Sequence, residues 1–192
     1  MNQQKIISVS VGILAVIALI GAGFSIFKTQ NLEKQIKPKT NQVTPTPQAA
    51  AKPTPVVLGT TIGNFTITKD EVITENGKPV IYYFGMNTCP HCQWEHPIIK
   101  RVAAKFGDAI VFHDDMDKIE NDKEIWNKYS SYNPSGAVPF LVFGGKYVRL
   151  GSGESQGEKE EEKNLTAIIC KLTDGKPASV CIQVKDLVGN IE

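Results

Sequence analysis

The distribution of apolar positions sets an N-terminal segment apart from the rest of the chain. Ile6 to Phe27 carries no charged residue and is mostly apolar. At 1.5 Å per residue, a helix over this stretch would be roughly 33 Å long, which is enough to span a bilayer. The apolar part of a signal peptide is usually shorter, so we predict an uncleaved membrane anchor within residues 1–28. Cleavage after Gly23, which would release a secreted domain, is the alternative.

A Pro-rich stretch follows at residues 29–55, where prolines alternate with Thr, Gln, Ala and Lys. Such a composition builds no core, so we predict a flexible linker there and a folded domain over residues 56–192. More lysines follow the apolar segment than precede it, which opposes an N-terminus on the cytoplasmic side. We still expect the domain on the extracytoplasmic side of the cell membrane, because long domains can translocate regardless of nearby charge.

Within residues 56–192 the apolar pattern alternates between strands and helices. Val80 to Phe84 is apolar throughout, as expected for a strand buried on both faces. Trp94, Ile98, Val102 and Phe106 recur at helical spacing. This alternation predicts an α/β domain with one core. The predicted strands are 63–67, 79–84, 109–113, 139–143 and 146–150, and the predicted helices are 68–76, 94–106, 124–132 and 155–172.

The motif Cys89-Pro90-His91-Cys92 lies between that apolar strand and that helix. A thiol at a helix N-terminus meets unpaired backbone N–H groups and the positive end of the helix dipole, and both favour the thiolate. Cys89 is therefore the predicted nucleophile, and Cys92, one turn into the helix, the predicted resolving thiol. Pro90 suits the first helical position, and His91 adds a positive or hydrogen-bonding group beside the thiolate.

The motif also allows two other interpretations. Cys89, Cys92 and His96 have plausible spacing for three zinc ligands, but the sequence offers no evident fourth ligand. The two cysteines could also form a purely structural disulfide. The position between strand and helix favours redox chemistry over both, with no metal and no cofactor other than the disulfide itself.

A second pair of cysteines lies near the end of the chain. Cys170 lies off the apolar stripe of the last predicted helix, and Cys181 follows a turn at Asp174-Gly175-Lys176-Pro177. The simplest interpretation is a structural Cys170–Cys181 disulfide that fastens the tail to the helix. In the chain-entropy model a loop of this size would stabilise the fold by roughly 3 kcal/mol. A second redox pair that relays electrons is the alternative.

Composition narrows the class of partner. The chain has a formal net charge of +1, and nothing in its charge pattern indicates a nucleic-acid or strongly acidic partner. The four cysteines fit an oxidising compartment. No segment predicts dimerisation, so we expect a monomer.

The motif and its surroundings resemble the thioredoxin fold over residues 59–172. Pro97 lies inside the helix where thioredoxins have their kinking proline, and Gly151 resembles the glycine that follows their hairpin. Val138-Pro139 resembles the family's hydrophobic residue and cis-proline beside the active cysteines. The resemblance implies a central mixed sheet flanked by helices, with Val138 and Pro139 binding the substrate backbone.

The Pro-His dipeptide within the motif resembles DsbA-type oxidases, which implies a strongly oxidising disulfide. The short stretch between Cys89 and Pro139 leaves no room for the helical insertion of DsbA itself. Tyr83 stands in the preceding strand where relatives often have a buried acid that assists proton transfer. Glu95 or solvent is then the expected proton route in this chain.

From these observations we expect a membrane-anchored thiol–disulfide oxidoreductase that donates disulfides to cysteine-containing proteins. A membrane redox partner would have to reoxidise it. A reductase or isomerase of the same fold is the first alternative. A metal-binding module built on Cys89, Cys92 and His96 is the second.

Overall fold

We describe the fold from a computed structural model for residues 54–192. The anchor and almost all of the linker predicted above lie outside these residues. No helix within them combines the length and apolar character needed to cross a bilayer. The strands are β1 Val57–Thr60, β2 Thr66–Thr68, β3 Thr74–Glu75, β4 Lys78–Gly85, β5 Val111–Met116, β6 Phe140–Phe143 and β7 Tyr147–Leu150. The α-helices are α1 Pro90–Phe106, α2 Lys123–Lys128, α3 Glu158–Leu172, α4 Ala178–Cys181 and α5 Lys185–Val188.

The sheet is mixed, and β4 lies at its centre. The strand order is β1-β2-β7-β6-β4-β3, and β5 also pairs with β4. The β4–β5 pair is parallel, whereas the other described pairs are antiparallel. The predicted strands at 79–84, 139–143 and 146–150 are thus confirmed as β4 and the β6–β7 hairpin, and the α/β class is confirmed.

Successive residues of β4 point into two different apolar clusters. Ile81 and Tyr83 face α1, α3 and the C-terminal tail, whereas Val80, Tyr82 and Phe84 face the α2 side. All five are at most 3% exposed, which confirms the prediction of a strand buried on both faces. The strand therefore holds the start of α1 against a rigid core.

Helix α1 begins at Pro90, passes through Pro97 and ends at Phe106, with Gly107 at φ 47° as its C-cap. Its buried face includes Ile98, Val102 and Phe106, as the helical spacing predicts. Helix α3 begins at Glu158 after Gly157, so the predicted start at Ser155 is wrong. Ser155 belongs to a separate 3₁₀ turn, Glu154–Gln156.

The predicted helix at 68–76 is wrong, because this stretch leads into a hairpin. The Thr68 hydroxyl accepts from the backbone N–H of Asp70 at 3.1 Å and donates to the Gly145 carbonyl at 2.7 Å, so it caps no helix. Asn76 and Gly77 have φ values of 51° and 76° and join β3 to β4. Two adjacent residues at positive φ form a tight hairpin turn, for which Asn-Gly is the preferred sequence.

The C-terminal tail folds back as two short helices, α4 and α5, and packs against α3. Cys170 and Cys181 form a disulfide between α3 and α4. Val184 and Ile191 are buried in the same cluster as α1 and α3. The tail thereby covers the side of α3 that carries Cys170, which is 0% exposed.

Candidate active site

The two motif cysteines lie at the start of α1 and are joined by a disulfide, with their Cα atoms 5.2 Å apart. Cys89 is the N-cap residue, and its Sγ accepts a hydrogen bond from the backbone N–H of Cys92 at 3.1 Å. Pro90 occupies the first helical position, where a backbone N–H would have no partner within the helix. When the disulfide is reduced, the Cys92 N–H and the helix dipole would both stabilise a thiolate at Cys89.

The two sulfurs differ in their access to solvent. Cys89 is partly exposed, whereas Cys92 is 0% exposed. The hydroxyl of the buried Tyr83 donates to the Cys92 carbonyl at 3.0 Å, which fixes the inner cysteine against β4. An incoming thiolate can therefore reach Cys89 and would displace Cys92 as the leaving sulfur.

The loop that precedes Cys89 is fastened to the end of β5. The backbone N–H of Asp117 donates to the Gly85 carbonyl at 2.9 Å, and its carboxylate accepts from the Asn87 backbone N–H at 2.9 Å. The Gln93 side chain donates to the Asn87 carbonyl from the first turn of α1. Helix and loop thus support each other, and the outer sulfur is held in a fixed position.

Val138 and Pro139 lie beside Cys89 on the segment that leads into β6. The Val138 carbonyl oxygen is 3.4 Å from Cys89 Sγ, and the Val138–Pro139 peptide bond is cis. The Pro139 carbonyl accepts from the Gly151 N–H at 2.8 Å, which ties this segment to the loop after β7. The two residues predicted to bind substrate therefore lie next to the sulfur predicted to react.

A groove of about 550 Å³ opens beside the motif. One wall is the segment before β6, another is the loop after β7, and the motif contributes its histidine. We call this feature the motif groove. Its lining residues are His91, Val138, Pro139, Gly151, Ser152, Glu154 and Ser155.

His91 points away from the core and meets a carboxylate. Its Nδ1 lies 2.8 Å from Oε2 of Glu154, and the two side chains are 67% and 47% exposed. This contact joins the motif to the loop after β7 at the solvent-facing side of the site. An exposed pair of this kind contributes little to stability, but it places a negative charge at the edge of the groove.

Beneath this loop lies a buried cluster of charges formed by Glu95, Arg149 and Glu161. The Arg149 guanidinium donates to Glu95 at 2.9 Å and to both oxygens of Glu161, at 2.6 and 3.1 Å. It also donates to the Gly63 carbonyl at 3.0 Å. All three side chains are at most 3% exposed. The cluster therefore joins α1, β7 and α3 directly below the reactive helix turn.

The charge of Glu95 depends on this environment. Burial raises the pKa of its carboxyl to about 8, the Glu161 carboxylate acts in the same direction, and Arg149 and the Gly153 N–H oppose it. Glu95 accepts from the Gly153 N–H at 3.0 Å. Glu95 lies one helical turn after Cys92 in α1, and its raised pKa leaves the carboxyl largely protonated at neutral pH.

His96, the third ligand of the zinc interpretation, and His113 both contact carboxylates. His96 Nε2 lies 2.8 and 2.9 Å from the two carboxylate oxygens of Asp114, and its ring stacks on Tyr83. His113 lies between Glu75 and Asp122. Within residues 54–192, no three His, Cys, Asp or Glu side chains are grouped as a metal site requires.

Comparison with protein-family models, curated proteins and solved structures found no match. The chemistry of this site is therefore inferred from its own residues.

Three features of the site were not predicted from the sequence. Arg149 and Glu161 lie 54 and 66 positions after Glu95 in the chain, and no local pattern pairs them with it. Glu154 is one of several acidic residues in a Glu-rich stretch, so no sequence pattern marks it as a neighbour of His91. The sequence also does not show that position 153 requires glycine, although a Cβ there would collide with the Glu161 carboxylate.

Proposed function

We propose that this chain is a thiol–disulfide oxidoreductase with a thioredoxin-like, DsbA-like site, and that it donates the Cys89–Cys92 disulfide to protein thiols. The observation that carries the proposal is the position of the disulfide. Its outer sulfur is an accessible helix N-cap, and its inner sulfur is fully buried. The Val138 carbonyl beside Cys89 supports a docking position for an extended substrate backbone.

The reaction begins when a substrate thiolate attacks Cys89 Sγ. A bond forms between the substrate sulfur and Cys89, the Cys89–Cys92 bond breaks, and Cys92 departs as a thiolate. Cys92 then takes up a proton, from solvent or from Glu95, whose pKa of about 8 makes it a proton donor near neutral pH. The raised pKa thus supports the proton route named from the sequence.

The second step releases the substrate. Another thiolate of the substrate attacks the substrate's own sulfur in the mixed disulfide, and Cys89 leaves as a thiolate. In total the substrate loses two electrons and two protons and gains a disulfide, while the pair gains two electrons. The N-cap contact from the Cys92 N–H supports Cys89 as the better leaving group, because it stabilises the thiolate.

Reoxidation then requires an electron acceptor. We propose a membrane-bound disulfide or quinone-linked partner on the extracytoplasmic side, reached by a domain tethered through residues 1–55. The apolar stretch from Ile6 to Phe27 and the Pro-rich segment after it support this placement.

The test is direct transfer of the disulfide. The oxidised full-length chain, mixed with a reduced peptide that contains two cysteines, will convert one equivalent of peptide to its disulfide. Mass spectrometry after alkylation will show two new thiols, at Cys89 and Cys92, with Cys170 and Cys181 still joined. A Cys89→Ser variant will convert none. Equal conversion by that variant, or new thiols at Cys170 and Cys181 instead, would refute the proposal.

A further inference from the structure

The motif groove has an uneven distribution of charge. Most of its lining is apolar or small, from Val138, Pro139, Gly151 and the two serines. Glu154 is its one carboxylate, and neither Lys nor Arg lines it among the described residues. A charged group on a ligand in this groove therefore meets a negative side chain beside the reactive disulfide.

Glu154 differs from the four glutamates in the first turns of α3. Each of those forms a contact with a Lys or Arg, as Glu158 with Arg101, Glu160 with Lys163, Glu161 with Arg149 and Glu162 with Lys105. Glu154 contacts His91 through Oε2, and its Oε1 has no hydrogen-bond partner within residues 54–192. One carboxylate oxygen thus remains available to a ligand.

The backbone that carries Glu154 is anchored at several points. The Gly151 N–H donates to Pro139, and the Gly153 N–H donates to the buried Glu95. The Gln156 N–H closes the turn on the Gly153 carbonyl at 2.9 Å. The carboxylate is therefore held at a fixed end of the groove, with its backbone bonded to the same segment that approaches Cys89.

We propose that Glu154 selects substrates in which Lys or Arg lies close to the reacting cysteine. This inference rests on the proposed exchange reaction and names the substrate class of that site. The substrate sulfur reacts at Cys89, its flanking residues lie along Val138 and Pro139, and its cationic side chain binds Glu154 through Oε1. Opposite charges attract across the short distances of such a groove, whereas an acidic residue there is repelled.

The experiment compares three reduced peptides that differ only in the two residues flanking one cysteine, which are Lys, Gln or Glu. Rates of mixed-disulfide formation with the oxidised full-length chain are measured by stopped flow. Each rate is divided by that of the same peptide with hydroxyethyl disulfide, a neutral reagent. This ratio removes the effect of flanking charge on the reactivity of the peptide thiol itself.

For the unaltered chain we expect the Lys peptide to react about two- to fivefold faster than the Glu peptide, the range typical of one exposed ion pair. Glu154→Gln will abolish most of this preference. Glu160→Gln is the matched control, since the two side chains are 47% and 45% exposed, and it will retain the preference. Salt at about 1 M will weaken it, because exposed charges are then screened within about 3 Å.

The results distinguish a failure of charge selection by Glu154 from a failure of the exchange reaction itself. If the peptides react but show no charge preference, or if Glu154→Gln keeps the full preference, Glu154 does not select substrates and the exchange reaction still stands. If no peptide forms a mixed disulfide at Cys89, the exchange reaction is wrong and this inference falls with it.

Discussion

Replacing Cys92 by serine will leave the chain trapped as a mixed disulfide with its substrate at Cys89. In the unaltered chain the buried Cys92 sulfur lies within bonding distance of Cys89 and can resolve such an adduct. An intramolecular thiol acts at a very high effective concentration, so the loss of Cys92 should slow its route of resolving the adduct by on the order of a thousandfold or more. The substrate is a peptide with a single cysteine joined to a small thiol as a disulfide, so that the adduct holds no second peptide thiol that could release it. Non-reducing electrophoresis and mass spectrometry will locate the adduct.

The negative control is the Cys89→Ser/Cys92→Ser double variant, which lacks both thiols of the motif and will form no adduct. The single Cys89→Ser variant will form little, because Cys92 is 0% exposed and cannot be approached by a peptide. An adduct that forms mainly at Cys92, or full turnover by Cys92→Ser, would contradict the assignment of the two cysteines.

Replacing Arg149 by methionine will destabilise the domain by about 3–5 kcal/mol at pH 8, because two buried carboxyls lose their cationic partner. Arg149 bonds both Glu95 and Glu161, and its guanidinium also stacks on Phe65, with Cζ 4.7 Å from the ring centroid. Methionine keeps much of the apolar volume and removes the charge. Urea denaturation followed by circular dichroism measures the change in the free energy of unfolding.

This loss will become smaller as the pH falls. The folded-state pKa of Glu95 is raised to about 8, so the folded chain binds more protons than the unfolded one between about pH 4.5 and about pH 8, and stability falls as pH rises through this range. Without Arg149 this range extends to higher pH, because Arg149 opposes the rise in the pKa of Glu95, and the cost of the replacement therefore grows with pH. Burial raises the pKa of Asp115 to about 7, which also lowers stability as the pH rises. This effect is the same in the unaltered chain and in Arg149→Met, so it cancels when the two are compared.

Arg101→Met is the matched control for the loss of an arginine. Arg101 pairs with Glu158 on the surface, where its side chain is 46% exposed, and such pairs are worth about 0–1 kcal/mol. Its removal will change stability little at either pH. If Arg149→Met costs no more than Arg101→Met, or costs the same at pH 5 and pH 8, the buried cluster does not carry the charges described.

The parts of the fold that were predictable depend on short-range patterns. The apolar run of β4 and the Gly144-Gly145 turn between β6 and β7 are both local, and so is the thiol that opens α1. The helix prediction at 68–76 depends on Thr68 and Glu71, which have the three-residue spacing of a capping box. The real determinants of this stretch are the Asn76-Gly77 pair, which forms a hairpin turn and does not end a helix as predicted, and the distant Gly145 carbonyl, which no local pattern shows.

The cysteines, their neighbours in the motif and Val138-Pro139 were predicted because each carries a local signature. Glu95 was singled out as a possible proton route, but its burial depends on Arg149, which comes from another strand. Glu154 reaches His91 only because the loop after β7 folds over the start of α1. Contacts between elements so far apart in the chain depend on tertiary packing, which no residue pattern in the sequence specifies.

The reduction potential of the Cys89–Cys92 pair in the full-length chain is the most direct test of disulfide donation. The chain is equilibrated with glutathione buffers, and the redox state of Cys89 is read by alkylation and mass spectrometry, with Cys170–Cys181 left intact. A disulfide-donating site predicts a potential near about −120 mV, as in DsbA. A value near about −270 mV, that of thioredoxin, would contradict the account and indicate a reductase.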